Sequence, residues 1–111
     1  MGFKFLKLFK SLFLIHALVL FMKNKIKKLL SEVKENSILA NTLSDDADII
    51  NDVGLDSLQL INFVLKIEEE FDIELDFEDL DYSHLTSISS LCEFISEQKA
   101  KQHDDTGEYE F

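Results

Sequence analysis

From about Ser57 to about Phe71 the chain carries two separate apolar stripes on a single helical period. At about 100° per residue, Leu60, Phe63, Val64, Ile67 and Phe71 fall within about 100° of arc and predict a side that faces a core. Leu58, Ile61 and Leu65 fall within about 60° on nearly the opposite side. A small bundle cannot bury both sets in one core. The second stripe is therefore either a docking surface, beside acids such as Glu68 and Glu69, or a face covered by a neighbouring segment, for which the 40–56 loop is the candidate.

A core-facing helix needs partners, and the pattern supplies them. Ile26, Leu29, Leu30 and Val33 recur at i, i+3, i+4 and i+7, which predicts a helix of about 14 to 17 residues from Met22, weakened at Asn36 and Ser37. A short helix is expected from Phe77 to Tyr82 with Asp76 as its cap, and a last one after Thr86 or Ser87. That last helix sets Ile88, Leu91, Cys92 and Ile95 at core spacing, with Phe94 on the same side. With no proline and no strand pattern in 111 residues, the expectation is all-α: one small four-helix bundle of three main helices and a short one. A chain of this size buries roughly 60 to 70% of its unfolded surface, enough to hold without covalent staples. The single Cys92 allows no disulfide within the chain and reads as a small buried apolar residue; the default setting is the cytoplasm.

The connection between the first two main helices is long. Residues 40–56 mix Asn, Thr, Ser, Asp and Gly54 with Ile49, Ile50, Val53 and Leu55, which should pin the loop inward. A structureless connection of this length often marks function in a compact domain. It ends in Gly54-Leu55-Asp56-Ser57-Leu58, where Asp56 and Ser57 read as the cap of the following helix. A hydroxyl there stands at the positive end of a helix, where a phosphate is electrostatically favoured, although a serine at such a position is most often simply a cap.

Charge divides the chain sharply. Residues 1–28 hold seven lysines and no acid, while residues 29–111 hold four lysines against all 22 acids, a balance of −18. An acidic body excludes nucleic acid, which needs clustered cations, and favours partners with basic patches reached by electrostatic steering. Residues 1–21 differ in kind: three lysines precede an apolar run from Leu12 to Met22, interrupted by His16. The run is short of the roughly 20 residues that cross a bilayer, and Lys-rich sequence follows where a signal cleavage site would need small residues. Translated upstream sequence ahead of a Met22 start, a membrane anchor or interfacial helix, and a cleaved signal all remain open readings. The expected organisation is an extension at 1–21, a domain at 22–97 and an acidic, disordered tail at 98–111.

The residues of a self-contained enzyme are missing. His16, His84 and His103 are far apart and none has a carboxylate or cysteine at metal spacing. The chain has no phosphate-binding glycine loop, the segment around Ser57 is not a Gly-x-Ser-x-Gly elbow, and Asp45, Asp46 and Asp48 lack the glycine and closing glutamate of a calcium loop.

The segment Asp52 to Leu75, "DVGLDSLQLINFVLKIEEEFDIEL", resembles the acyl carrier protein family, whose members carry acyl, peptidyl or aminoacyl groups. The resemblance covers about Met22 to Glu97 and implies a four-helix bundle that catalyses nothing itself. It implies that Ser57 receives 4′-phosphopantetheine from coenzyme A through a separate transferase, with Asp56 and Leu58 as the flanking motif. The arm's thiol would then hold cargo as a thioester for successive acyl- or aminoacyl-processing enzymes. Leu58, Ile61 and Leu65 fall where the family meets those partners, with Glu68 and Glu69 as candidate charge contacts. Gln59 and Asn62 replace the acids usual at the start of this helix in fatty acid carriers, and Asp76 to Leu91 is slightly longer than theirs. These departures favour a discrete carrier of a specialised polyketide, nonribosomal-peptide-like or aminoacyl pathway, with fatty acid synthesis second; the chain is expected to be a monomer. The alternative of another class is an unmodified acidic helical interaction module in which Ser57 only caps.

Overall fold

A computed structural model describes the backbone of residues 2–108 and the side chains of Leu14 and residues 16–102. Its elements are α1 (Gly2–Lys34), α2 (Leu39–Thr42), α3 (Ser57–Phe71), a 3₁₀ helix (Tyr82–Leu85) and α4 (Ile88–Glu108), with no strand among the described residues. The expected all-α bundle of acyl-carrier type is what forms.

The core is assembled by the predicted stripes. Ile26, Leu29 and Leu30 of α1 meet Phe63, Val64 and Ile67 of α3 and Ile88, Leu91, Cys92 and Ile95 of α4, all buried. Ala47, Ile49, Val53 and Leu55 plug the same core from the long connection, which is how a segment without regular structure is held in place. Ion pairs lace α1 to α3 in antiparallel order, Lys25 with Glu70 and Lys66 with Glu32. Lys23 and Lys27 both reach Asp45, tying α1 to the connection.

Besides α2, a single helical turn at the head of the connection expected to be loop, three elements differ from expectation. The first helix is 33 residues long, because helical backbone runs unbroken through residues 2–21 into the core-forming part. It stops at Glu35, whose left-handed φ of 55° turns the chain while Ser31 Oγ donates to the Asn36 carbonyl at 2.7 Å. The short helix lies at Tyr82–Leu85 instead of Phe77–Tyr82. Asp76 does accept from the Glu78 N–H at 3.0 Å, but this closes only a turn; helix starts after Asp81, which accepts from the Tyr82 N–H at 2.8 Å. Thirdly, α4 continues through residues 98–108, where composition suggested disorder. Lys99 Nζ donates to the Phe71 carbonyl at 2.7 Å, and Gln102 bonds both the N–H and the carbonyl of Glu74. The rest of the expected tail, 109–111, lies outside the described residues.

Candidate functional site

The connection approaches Ser57 through a tightly bonded turn. Asp48 accepts from the Ile50 and Asn51 N–H groups at 2.9 and 2.8 Å, and Asp52 accepts from the Asp48 N–H at 2.9 Å. The Asn51 N–H and its side chain, with the Ile50 N–H, hold the Asp48 carboxyl below its ordinary pKa. Asn51 also donates to the Tyr82 hydroxyl at 2.8 Å, and the Ile49 N–H to the Leu85 carbonyl at 3.0 Å, so the 3₁₀ helix backs the turn.

Gly54 then takes a left-handed φ of 77°, and its carbonyl accepts from Lys34 Nζ at 3.1 Å. A Cβ at this position would meet nothing within 4 Å, so glycine is demanded by the backbone conformation and not by space. Buried Leu55 anchors the next step.

Asp56 is the cap of α3 and Ser57 its first helical residue. Asp56 Oδ1 accepts from the Gln59 N–H at 2.7 Å, and Gln59 Oε1 accepts from the Asp56 N–H at 3.1 Å. This reciprocal capping box divides the labour: Asp56 satisfies the helix terminus, and Ser57 is left exposed. No described group hydrogen-bonds the Ser57 hydroxyl. The cap that the sequence divides between Asp56 and Ser57 belongs to Asp56 and Gln59, and the Asp-x-x-Gln spacing is the signal that identifies the glutamine.

Among the described residues, no histidine, cysteine or carboxylate is hydrogen-bonded to the Ser57 hydroxyl. His84 stacks on Phe94 with centroids 4.1 Å apart, and its Nδ1 accepts from the Asp81 N–H at 2.9 Å. The described residues form no cluster able to hold a metal. Cys92 is buried, and that burial raises its thiol pKa, which removes thiolate character.

The second stripe of α3 is open. Leu58, Ile61 and Leu65 are 74, 45 and 54% exposed, so the 40–56 connection does not cover them. Of the two acids expected beside the stripe, Glu69 is exposed, whereas Glu68 is half-buried and accepts from the Leu75 N–H at 2.8 Å. One Glu68 oxygen is thus committed to holding the chain after α3. A hydroxyl free of internal partners, at a helix N-terminus and next to an open apolar strip, suits transfer of a phosphate-linked group by an outside enzyme.

Residues 24–95 match the family model described as a phosphopantetheine attachment site. The acyl carrier protein of Buchnera aphidicola subsp. Schizaphis graminum is 30% identical over 80 residues, covering 72% of this chain and 96% of the relative. That of Buchnera aphidicola subsp. Acyrthosiphon pisum is 32% identical over 84 residues, covering 73% and 100%. The acyl carrier protein of Syntrophobacter fumaroxidans is 30% identical over 76 residues, covering 62% and 91%.

Proposed function

Since the chain belongs to the acyl carrier protein family and its domain is one that bears covalent 4′-phosphopantetheine, we propose that Ser57 is the attachment point and that the protein is a discrete carrier catalysing nothing itself. The observation that carries this reading is the exposed, internally unpartnered Ser57 hydroxyl on the first turn of α3, with the capping duty taken by Asp56 and Gln59. The attached arm supplies a terminal thiol that holds cargo as a thioester. The chain's own residues supply placement. Gly54 and Lys34 shape the approach, the N–H groups at the start of α3 favour the phosphodiester charge, and Leu58, Ile61 and Leu65 give each partner an apolar strip to dock on. Tethering raises the local concentration of cargo at each partner's active site.

A phosphopantetheinyl transferase and acyl-processing enzymes are the partners that a carrier of this family requires, and Glu69 supports basic patches on them. For the pathway, Gln59 no longer discriminates, because the capping box accounts for it. The longer segment Asp76 to Leu91 supports a specialised pathway, with fatty acid synthesis as the second reading. The relatives' name, acyl carrier protein, supports acyl over aminoacyl cargo.

The test is intact mass after incubation with coenzyme A and a broad-specificity phosphopantetheinyl transferase. One arm should be added to the wild-type chain and none to Ser57→Ala. Absence of any gain, or a gain that survives the substitution, overturns the assignment.

A further inference from the structure

Core contacts on α1 begin at Val19 and Met22. Ahead of and between them the described side chains of Leu14, His16, Ala17, Leu18, Leu20 and Phe21 are all exposed. Four of these are large and apolar: Leu14, Leu18, Leu20 and Phe21 are 54 to 62% exposed.

Their disposition narrows what covers them. Leu14, Leu18 and Phe21 share one side of the helix at i, i+4 and i+7, but Leu20 stands about 200° round from Leu18. A groove on a rigid partner covers one stripe; a fluid apolar medium covers several.

Charge narrows it further. Residues 1–28 contain seven lysines and no acid. Lys23 and Lys27 are occupied by Asp45 and Lys25 by Glu70. The sequence ahead of Leu12 adds Lys4, Lys7 and Lys10 to the apolar stretch, with no acid before Glu32. A second copy of the chain would bring two such cationic segments together if it paired like with like. Anionic headgroups complement them instead. The apolar run from Leu12 to Met22 rises only about 16 Å along a helix, against a hydrocarbon core of about 30 Å. Among the described residues no helix is long and apolar enough to cross a membrane.

We infer that the start of α1 seats this carrier on the surface of an anionic phospholipid bilayer, with Leu14, Leu18, Leu20 and Phe21 in the interfacial layer. The inference is independent of the role of Ser57. Seating would confine the carried group to the neighbourhood of membrane-bound enzymes while the acidic body, at −18, stays directed away from the lipid.

The experiment is co-sedimentation of the full chain with vesicles of phosphatidylcholine alone and of phosphatidylcholine with phosphatidylglycerol, at low and high salt. Expected is binding to the anionic vesicles that weakens with salt, and at least about a tenfold loss of affinity in Leu18→Glu/Phe21→Glu. Far-UV circular dichroism and transferase-dependent mass gain, unchanged in the variant, would show that the fold and the carrier site survive. No binding to anionic vesicles, or binding that the double substitution leaves intact, overturns the inference. So does concentration-dependent dimerisation in analytical ultracentrifugation that the same substitutions abolish, because a second copy would then be the cover.

Discussion

Asp56 and Gln59 cap each other: each side chain accepts the other's backbone N–H, at 2.7 and 3.1 Å, across the turn that carries Ser57. The pair fixes where α3 begins, and with it the direction in which the serine is presented.

Replacing Asp56 with Ala should cost about 1 kcal/mol, as loss of an N-cap does. Asp56→Asn should recover most of that stability, since asparagine caps nearly as well. Urea denaturation of the two variants against wild type checks both. Equal loss in the two would show that the carboxylate charge and not the cap is what matters.

Gly54→Ala should destabilise by about 1 to 2 kcal/mol, the cost of placing a Cβ in left-handed backbone. With nothing within 4 Å of the added atom, no clash contributes. Gly54→Asn should cost less, because asparagine tolerates that region. The urea midpoints of the two proteins give the ranking.

The two stripes of α3 should separate cleanly by mutation. Phe63→Ala empties a fully buried position and should cost about 3 to 5 kcal/mol. Leu58→Ala should shift stability by no more than about 0.5 kcal/mol, because that side chain is exposed. Ile61→Asp should likewise leave the fold intact and weaken binding to a processing enzyme, read by titration calorimetry. That binding should also fall with salt, since acidic-to-basic contacts are screened; salt-independent affinity would assign it to the apolar strip alone.

Acid should loosen α1 from its neighbours. Asp45 titrates below its ordinary 3.8, chiefly through the hydrogen bond from Lys27 and then the charges of Lys27 and Lys23. Glu70 titrates below its ordinary 4.5 through the hydrogen bond and charge of Lys25. Carboxyls with lowered folded-state values contribute stability above their unfolded values and lose it as pH falls through the folded ones. Thermal midpoints should therefore decline below about pH 4.5, and Asp45→Asn should flatten part of that decline. A variant with the wild-type slope would show that the Lys23 and Lys27 contacts carry no weight in solution.

Local periodicity made both faces of α3 legible in sequence, because Leu60 to Phe71 and Leu58 to Leu65 repeat over several turns. The core residues of α4 were legible for the same reason, and the Ser87 cap is seen in its acceptance of the Ser90 N–H at 2.9 Å. The 3₁₀ helix lies later than the sequence suggests because a single turn has no period to read, and two aspartates, Asp76 and Asp81, both offer caps. Gln59 departs from the family's pattern, but its spacing from Asp56 is the stronger signal, that of a capping box. The reach of α4 past residue 97 depends on Lys99 meeting Phe71, 28 residues away, and no local pattern encodes such a contact.

The Lys99 bond to the Phe71 carbonyl, together with the burial of Met22, sets where this unit can be cut. Residues 24–95, grafted into a multidomain assembly, would keep every motif and lose both seals. A gap would open where Met22 sits against the core, and the Phe71 carbonyl at the end of α3 would lose its Lys99 donor. The portable module is therefore wider than its recognisable sequence, and a graft should carry at least Val19 to Gln102.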